Sequence, residues 1–214
     1  MTDGNGGIDR LRVAAFDVDG TLTTADCVVP FLRRTVGTPT LVARMLRSPL
    51  SLARAGVRRD RDALKAVSAA ATFRGLPLAV VEADAAVFAR EVYDSGLRDD
   101  VVESLSAHVD NGDAVVLVSA SFEVYLRPLA ELLGAHDVVA ARLEVDVDGH
   151  LTGRLDGPNC RGPEKVVRLH EWLDQHVGGR EAVHLSAYGD SIGDRELLAD
   201  ADEAHWVGRG EMPG

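Results

Sequence analysis

The chain has 214 residues, 46% of them hydrophobic and 27% charged, which suits one soluble globular domain, or one domain with an insert. Its formal net charge of −11 has the wrong sign for a surface that neutralises nucleic-acid phosphates, and two cysteines, Cys27 and Cys160, are too few for a disulfide framework. The polar opening MTDGNGGIDR predicts no signal peptide, no window approaches the ~18 uninterrupted apolar residues of a spanning helix, and a cytoplasmic protein is expected.

The first element in chain order is the apolar run RVAAF at 12–16, expected as a buried strand. It leads directly into Asp17-Val18-Asp19-Gly20-Thr21. From about 28 to 93 the pattern is helical with no strand of its own, which predicts a helical insert. The first part of that insert is basic: from Phe31 to Arg74 ten Lys or Arg stand against two acids, Asp60 and Asp62, a charge of +8 against −19 for the remainder. A solvated face, steering of an anionic substrate and contact with an anionic membrane all fit such a stretch. DDVVESLSAHVDNG follows as an amphipathic helix with a glycine stop. Then come the apolar run AVVLVS at 114–119 and the helix SFEVYLRPLAELLG. Gly134 is its expected C-cap, and Pro128 an expected kink or start.

RLEVDVDGHLTGRL alternates on both sides of Asp148-Gly149, a hairpin signal. PEKVVRLHEWLDQHVGG is a helix opened by Pro163. AVHLSAYG at 182–189 is the third apolar run and leads into Asp190-Ser191-Ile192-Gly193-Asp194. Continuous apolar runs alternating with helices predict a parallel sheet covered on both faces.

The polar groups after these runs are Asp17 and Asp19, Ser119, and Asp190 with Asp194. In an open α/β sheet they converge on the crevice beyond the carboxyl ends of the strands. Lys165, at a helix start, can join them. Asp19 lies two residues beyond Asp17, on the same side by strand period. Singly, each has a plain structural explanation: acids cap helices or make turns, and a helix lysine is usually solvated. The seven histidines show no ligand spacing, and the absence of GxxxxGK gives no support to a P-loop kinase.

Taken in order, Asp17-Val-Asp19-Gly20-Thr21, Ser119, Lys165 and Gly189-Asp190-Ser191-Ile192-Gly193-Asp194 resemble the four motifs of the haloacid dehalogenase-like phosphohydrolase superfamily. The insert looks like its C1 cap, and the hairpin, "YGDS..D..LL" and "C.G..K" look like its subfamily IB, the phosphoserine-phosphatase-like branch. The resemblance covers about residues 12–208. It implies a Rossmann-like α/β fold: a catalytic core of 1–24 and 94–214, an α-helical cap of 25–93 and a small hairpin.

It further implies a Mg²⁺-dependent phosphomonoester phosphatase acting through an aspartyl phosphate on a small-molecule phosphate ester. Asp17 would be the nucleophile and Asp19 the general acid and base. Asp17 and Asp190 would be direct metal ligands, joined by the Asp19 backbone carbonyl and, directly or through water, Asp194. Thr21, Ser119, Ala120 and Lys165 would hold the phosphate. Asp26 stands where the phosphoserine phosphatases have a cap glutamate, and Ala120-Ser121 stand where they have two glycines. Asp26, Arg58, Arg61 and Lys65 are the candidates for substrate selection. A phosphotransferase or mutase shares this pattern, as does a phosphatase of lipid-linked phosphates with a membrane-contacting cap. A non-enzymatic receiver-like module fits poorly, because it has neither cap nor GDSxxD.

Overall fold

The computed structural model describes residues 10–46 and 61–212. Five strands form one parallel sheet: β1 (Leu11–Phe16), β2 (Ala114–Phe122), β3 (Asp137–Ala141), β6 (Val183–Gly189) and β7 (Glu203–Trp206). They lie in the order β3-β2-β1-β6-β7. The central strand β1 pairs with β2 at Phe16↔Leu117 and with β6 at Phe16↔Tyr188, so three strand ends fall side by side. A separate antiparallel pair, β4 (Leu143–Val145) and β5 (Leu151–Leu155), is the expected hairpin.

Two apolar layers cover the sheet, as the runs of Val, Ala and Leu require. On one face Val13, Ala15, Val116, Val118, Leu185 and Ala187 pack with Leu169 and Leu173 of α7 (Pro163–His176) and with Leu197 and Leu198 of α8 (Arg195–Asp200). On the other, Ala14, Phe16, Val115 and Leu117 pack with Leu105 of α5 (Asp99–Asp110) and Leu126 and Leu129 of α6 (Glu123–Leu133). Gly134 caps α6 in the left-handed conformation (φ 73, ψ 17), while Pro128 lies inside that helix and not at its start.

Among the described residues the insert contains α1 (Val28–Val36), α2 (Thr38–Met45), α3 (Arg61–Phe73) and α4 (Leu78–Ser95). Its apolar side is continuous with the second sheet layer through an aromatic cluster. Phe31 and Phe88 meet Tyr125 at 4.9 and 5.3 Å between ring centroids, and Phe73 meets Phe122 at 5.2 Å. Such edge-to-face pairs add to what their buried area contributes. The two chain crossings into and out of the insert are tied to each other. Thr24 N donates to Gly96 O (2.8 Å), and Arg98 N to Leu22 O (2.9 Å). The hairpin braces the far side: Gly75 N donates to Leu151 O, and Leu151 N to Leu76 O, both at 2.8 Å.

Basic residues of the insert are engaged by other parts of the chain. Arg34 pairs with Asp84 (2.6 Å) and Glu91 (2.8 Å), and Arg44 donates to the carbonyls of Ala71 and Thr72 at the end of α3. Among the described residues no helix is long and apolar enough to cross a membrane.

Candidate active site

Strand β1 stops at Phe16, and Asp17 is the first residue beyond it, its backbone N–H donating to Tyr188 O on β6 (3.0 Å). The next five residues turn tightly, closed by Thr23 N on Val18 O (2.9 Å). The proximity of Asp17 and Asp19 therefore comes from this loop and not from strand period. Gly20 makes the loop possible: its φ is +87°, and a Cβ there would collide with the Asp190 carboxylate.

Five side chains from the ends of two strands and one helix meet here. Lys165 Nζ, in the first turn of α7, lies 2.6 Å from both Asp17 Oδ1 and Asp194 Oδ1. Lys165 and Asp194 are almost wholly buried, and Asp17 nearly so. The Thr21 hydroxyl stands between Asp17 Oδ2 (3.0 Å) and Asp190 Oδ1 (3.2 Å). Asp194 Oδ2 accepts from Ser191 N (3.0 Å) and Ser191 Oγ (2.8 Å), so both of its oxygens are engaged.

The charges at the site are set by burial. Burial pushes Asp17 up to about 7, with Asp194 and Asp19 adding repulsion and Lys165 opposing the shift. Asp190 is raised by burial and then by Asp194. Burial alone would lower Lys165, but Asp17 and Asp194 reverse this and hold its proton more firmly than usual. Asp17, Asp190 and Asp194 each offer an oxygen within 4.8 Å of the others. Three carboxylates against one ammonium leave negative charge in a buried place, and the donors are hard oxygens. That set fits Mg²⁺, and Asp194, which accepts from Lys165 and twice from Ser191, is the carboxylate most engaged by the protein.

These groups open into a cavity of about 570 Å³ between sheet and insert, whose wall includes Asp17, Asp19, Ser119, Ala120, Lys165 and Asp190. Ser119 Oγ accepts from Ser121 N (3.1 Å). Asp19 turns its carboxylate away from the acid cluster: Oδ1 accepts from Cys27 N (2.8 Å) and Oδ2 from Ser121 Oγ. Burial raises its pKa against those two hydrogen bonds.

One expected phosphate-binding residue is elsewhere. Thr21 is fully buried and off the cavity wall, where its hydroxyl braces Asp17 and Asp190. Of the expected selectivity residues, Asp26 and Lys65 line the cavity. Asp26 Oδ1 also accepts from Val29 N (3.2 Å), capping α1. Lys65 Nζ donates to Asn159 Oδ1 (2.8 Å) and lies 4.6 Å from the Phe122 ring centre. Arg58 lies outside the described residues, and Arg61 is the first residue of α3.

The sequence reading missed Ser121, Asn159 and Arg161, together with an apolar wall of Val28, Val29, Leu32 and Leu64 from the insert. A serine two places after Ser119 was the only signal available for Ser121, and nothing in spacing marked the others. No histidine is on the cavity wall.

The haloacid dehalogenase-like hydrolase family model matches residues 14–199. The chain belongs to this family. It is 39% identical over 191 residues to protein CicA of Caulobacter vibrioides, covering 89% of this chain and 83% of that one. It is 31% identical over 185 residues to the phosphoserine phosphatase of Streptococcus thermophilus, covering 86% and 78%. A solved structure of a protein of unknown function from Bordetella pertussis Tohama I aligns with a TM-score of 0.68 at 25% identity, covering 89% and 86%. As a haloacid dehalogenase-like hydrolase, the chain carries its four motifs on the carboxyl edge of the sheet, with Asp17 and Lys165 in direct contact.

Proposed function

We propose that this hydrolase is a Mg²⁺-dependent phosphomonoester phosphatase that works through a phosphoryl group carried on Asp17. The observation behind this reading is the buried contact of Asp17 with Lys165, beside Asp190 and Asp194, at the floor of a capped cavity. Mg²⁺ held by Asp17 and Asp190 would supply charge that neutralises the phosphoryl oxygens. Phosphoryl transfer needs positioning and charge neutralisation above all.

The residues of the chain divide the remaining work. Lys165 and Ser119 hold phosphoryl oxygens, and Lys165 favours the ionised Asp17. An Asp17 oxygen bonds to phosphorus as the bond to the leaving oxygen breaks, and Asp19 gives that oxygen its proton. Asp19 then takes a proton from water, the water oxygen bonds to phosphorus, and the bond to Asp17 breaks, releasing inorganic phosphate.

Residues 25–93 act as the cap that selects the leaving group. Its contribution to the cavity is partly apolar, with Val28, Val29, Leu32 and Leu64, and partly cationic, with Lys65. A small metabolite with an apolar body and an acceptor or anion in reach of Lys65 suits this chamber. Relatives named phosphoserine phosphatase and histidinol-phosphatase support a phosphorylated metabolite.

The test is release of phosphate from p-nitrophenyl phosphate with Mg²⁺, lost in Asp17→Asn. It is followed by a panel of phosphoserine, histidinol phosphate, sugar phosphates and lipid-linked phosphates. No turnover on any of these with Mg²⁺ would sink the reading.

A further inference from the structure

We propose that Ser121 is a positioning residue for Asp19, fixing the place and rotation of its carboxyl. The inference rests on the phosphatase reading above and adds a residue to it.

Strand β2 pairs regularly with β3 up to Ser119↔Ala140, and its next pair is Phe122↔Ala141. Ala120 and Ser121 are thus extra residues on one strand, an irregularity of the kind that re-aims a side chain. Ser121 is fully buried, and its hydroxyl donates to Asp19 Oδ2. Its own N–H is tied to Ser119 Oγ at 3.1 Å, which fixes the backbone from which the hydroxyl projects.

The two partners of Asp19 differ in chemistry. Cys27 N–H, at the entry to α1, can only donate, so Oδ1 is held as an acceptor at 2.8 Å. Oδ2 is held by the Ser121 hydroxyl, so one contact on each oxygen fixes both the place and the rotation of the carboxyl. Alanine or glycine at 121 has no hydroxyl and leaves Oδ1 as the single tethered oxygen of the two, with the carboxyl free to turn about the Cβ–Cγ bond.

The test uses a series of para-substituted phenyl phosphates at one pH and saturating Mg²⁺, with wild type, Ser121→Ala and Ser121→Thr. If Ser121 positions the proton donor, kcat/KM of Ser121→Ala falls most for the poorest leaving groups. The expected loss there is about 10- to 100-fold, within what general acid catalysis supplies. The loss for p-nitrophenyl phosphate is small and KM changes little. Ser121→Thr keeps the hydroxyl and the wild-type dependence on the leaving group. Ser121→Gly replaces the alanine variant should that one fail to fold. An unchanged kcat/KM across the series, or a loss equal for all leaving groups, overturns the inference while the phosphatase reading stands. A wild-type enzyme that turns over no member of the series overturns both.

Discussion

Lys165 Nζ stands 2.6 Å from one oxygen of Asp17 and 2.6 Å from one oxygen of Asp194, joining the ends of β1 and the β6 loop to the start of α7. All three groups are buried, so the ammonium offsets repulsion that water does not screen. Removing one partner of a buried charge set leaves the others uncompensated, at a cost of about 3 kcal/mol. Lys165→Met should therefore lower the melting temperature of the metal-free protein by about 6–12 °C, on the scaling for a chain of this size. Added Mg²⁺ should stabilise the variant more than it stabilises the wild type, because the cation meets the same excess of carboxylate charge. Thermal melts with and without Mg²⁺ measure this. An equal Mg²⁺ shift in both proteins would count against a cation site at Asp17 and Asp190.

Gly20 offers a second check on the same site. Its positive φ is unfavourable for alanine, and the new Cβ would press on the Asp190 carboxylate. Gly20→Ala should move Asp190 off its place beside Thr21. The expected result is a Mg²⁺ requirement raised by about 10-fold, the lower end for losing a residue that orients a metal ligand. The midpoint of the Mg²⁺-dependent melting shift reads this out; an unchanged midpoint would remove Asp190 from the ligand set.

The parts of the fold that were legible in the sequence are those buried on both faces. β1 and β2 are mostly strings of Val, Ala and Leu, β6 is interrupted by His184 and Ser186, and all three appear where the apolar runs lie. The edge strands β3 (DVVAA) and β7 (EAHW) were not read as strands, because both are short and β7 carries Glu203 and His205 among its four residues. The same division holds at the site. Asp17, Lys165 and Asp190 stand out by their order along the chain, and the structure brings them together. Ser121 depends on an irregular strand pairing, and Asn159 meets Lys65 across 94 positions of sequence. No local pattern encodes either contact. Thr21 shows the opposite error: its motif position suggested the phosphate, while packing turned the hydroxyl inward to the carboxylates.

Arg44 tests how far the basic insert is free to act at its surface. Its Nη1 donates to Ala71 O and Thr72 O, both at 3.2 Å, carbonyls in the last turn of α3 that lack helical partners and carry the negative end of the helix dipole. Arg44→Ala should lower stability by about 1 kcal/mol, or about 2–4 °C, and leave kcat/KM for p-nitrophenyl phosphate unchanged. A melting temperature equal to that of wild type would show that the capping contact contributes nothing.

Lys65 carries the pH dependence that is specific to the leaving group. Burial lowers its pKa from the usual lysine range to about 8, against the attraction of Asp19. It is therefore charged below about 8 and loses its proton above, while in the unfolded chain it keeps the proton to about 10. Two consequences have opposite signs. Between these values the unfolded state holds more protons, so Lys65 makes stability rise with pH, and Lys65→Met should abolish that rise. Recognition of an anionic leaving group should fall over the same range, because the cation is lost. With Mg²⁺ saturating, the ratio of kcat/KM for p-carboxyphenyl phosphate to that for phenyl phosphate should drop as pH passes about 8. Lys65→Arg should hold the ratio to higher pH, and Lys65→Met should make it low and flat. Taking the ratio cancels ionisation of the phosphate and of Asp17 and Asp19, which both substrates share. A ratio independent of pH in wild type would place the leaving group out of reach of Lys65 and leave selection to the apolar wall of α1 and Leu64.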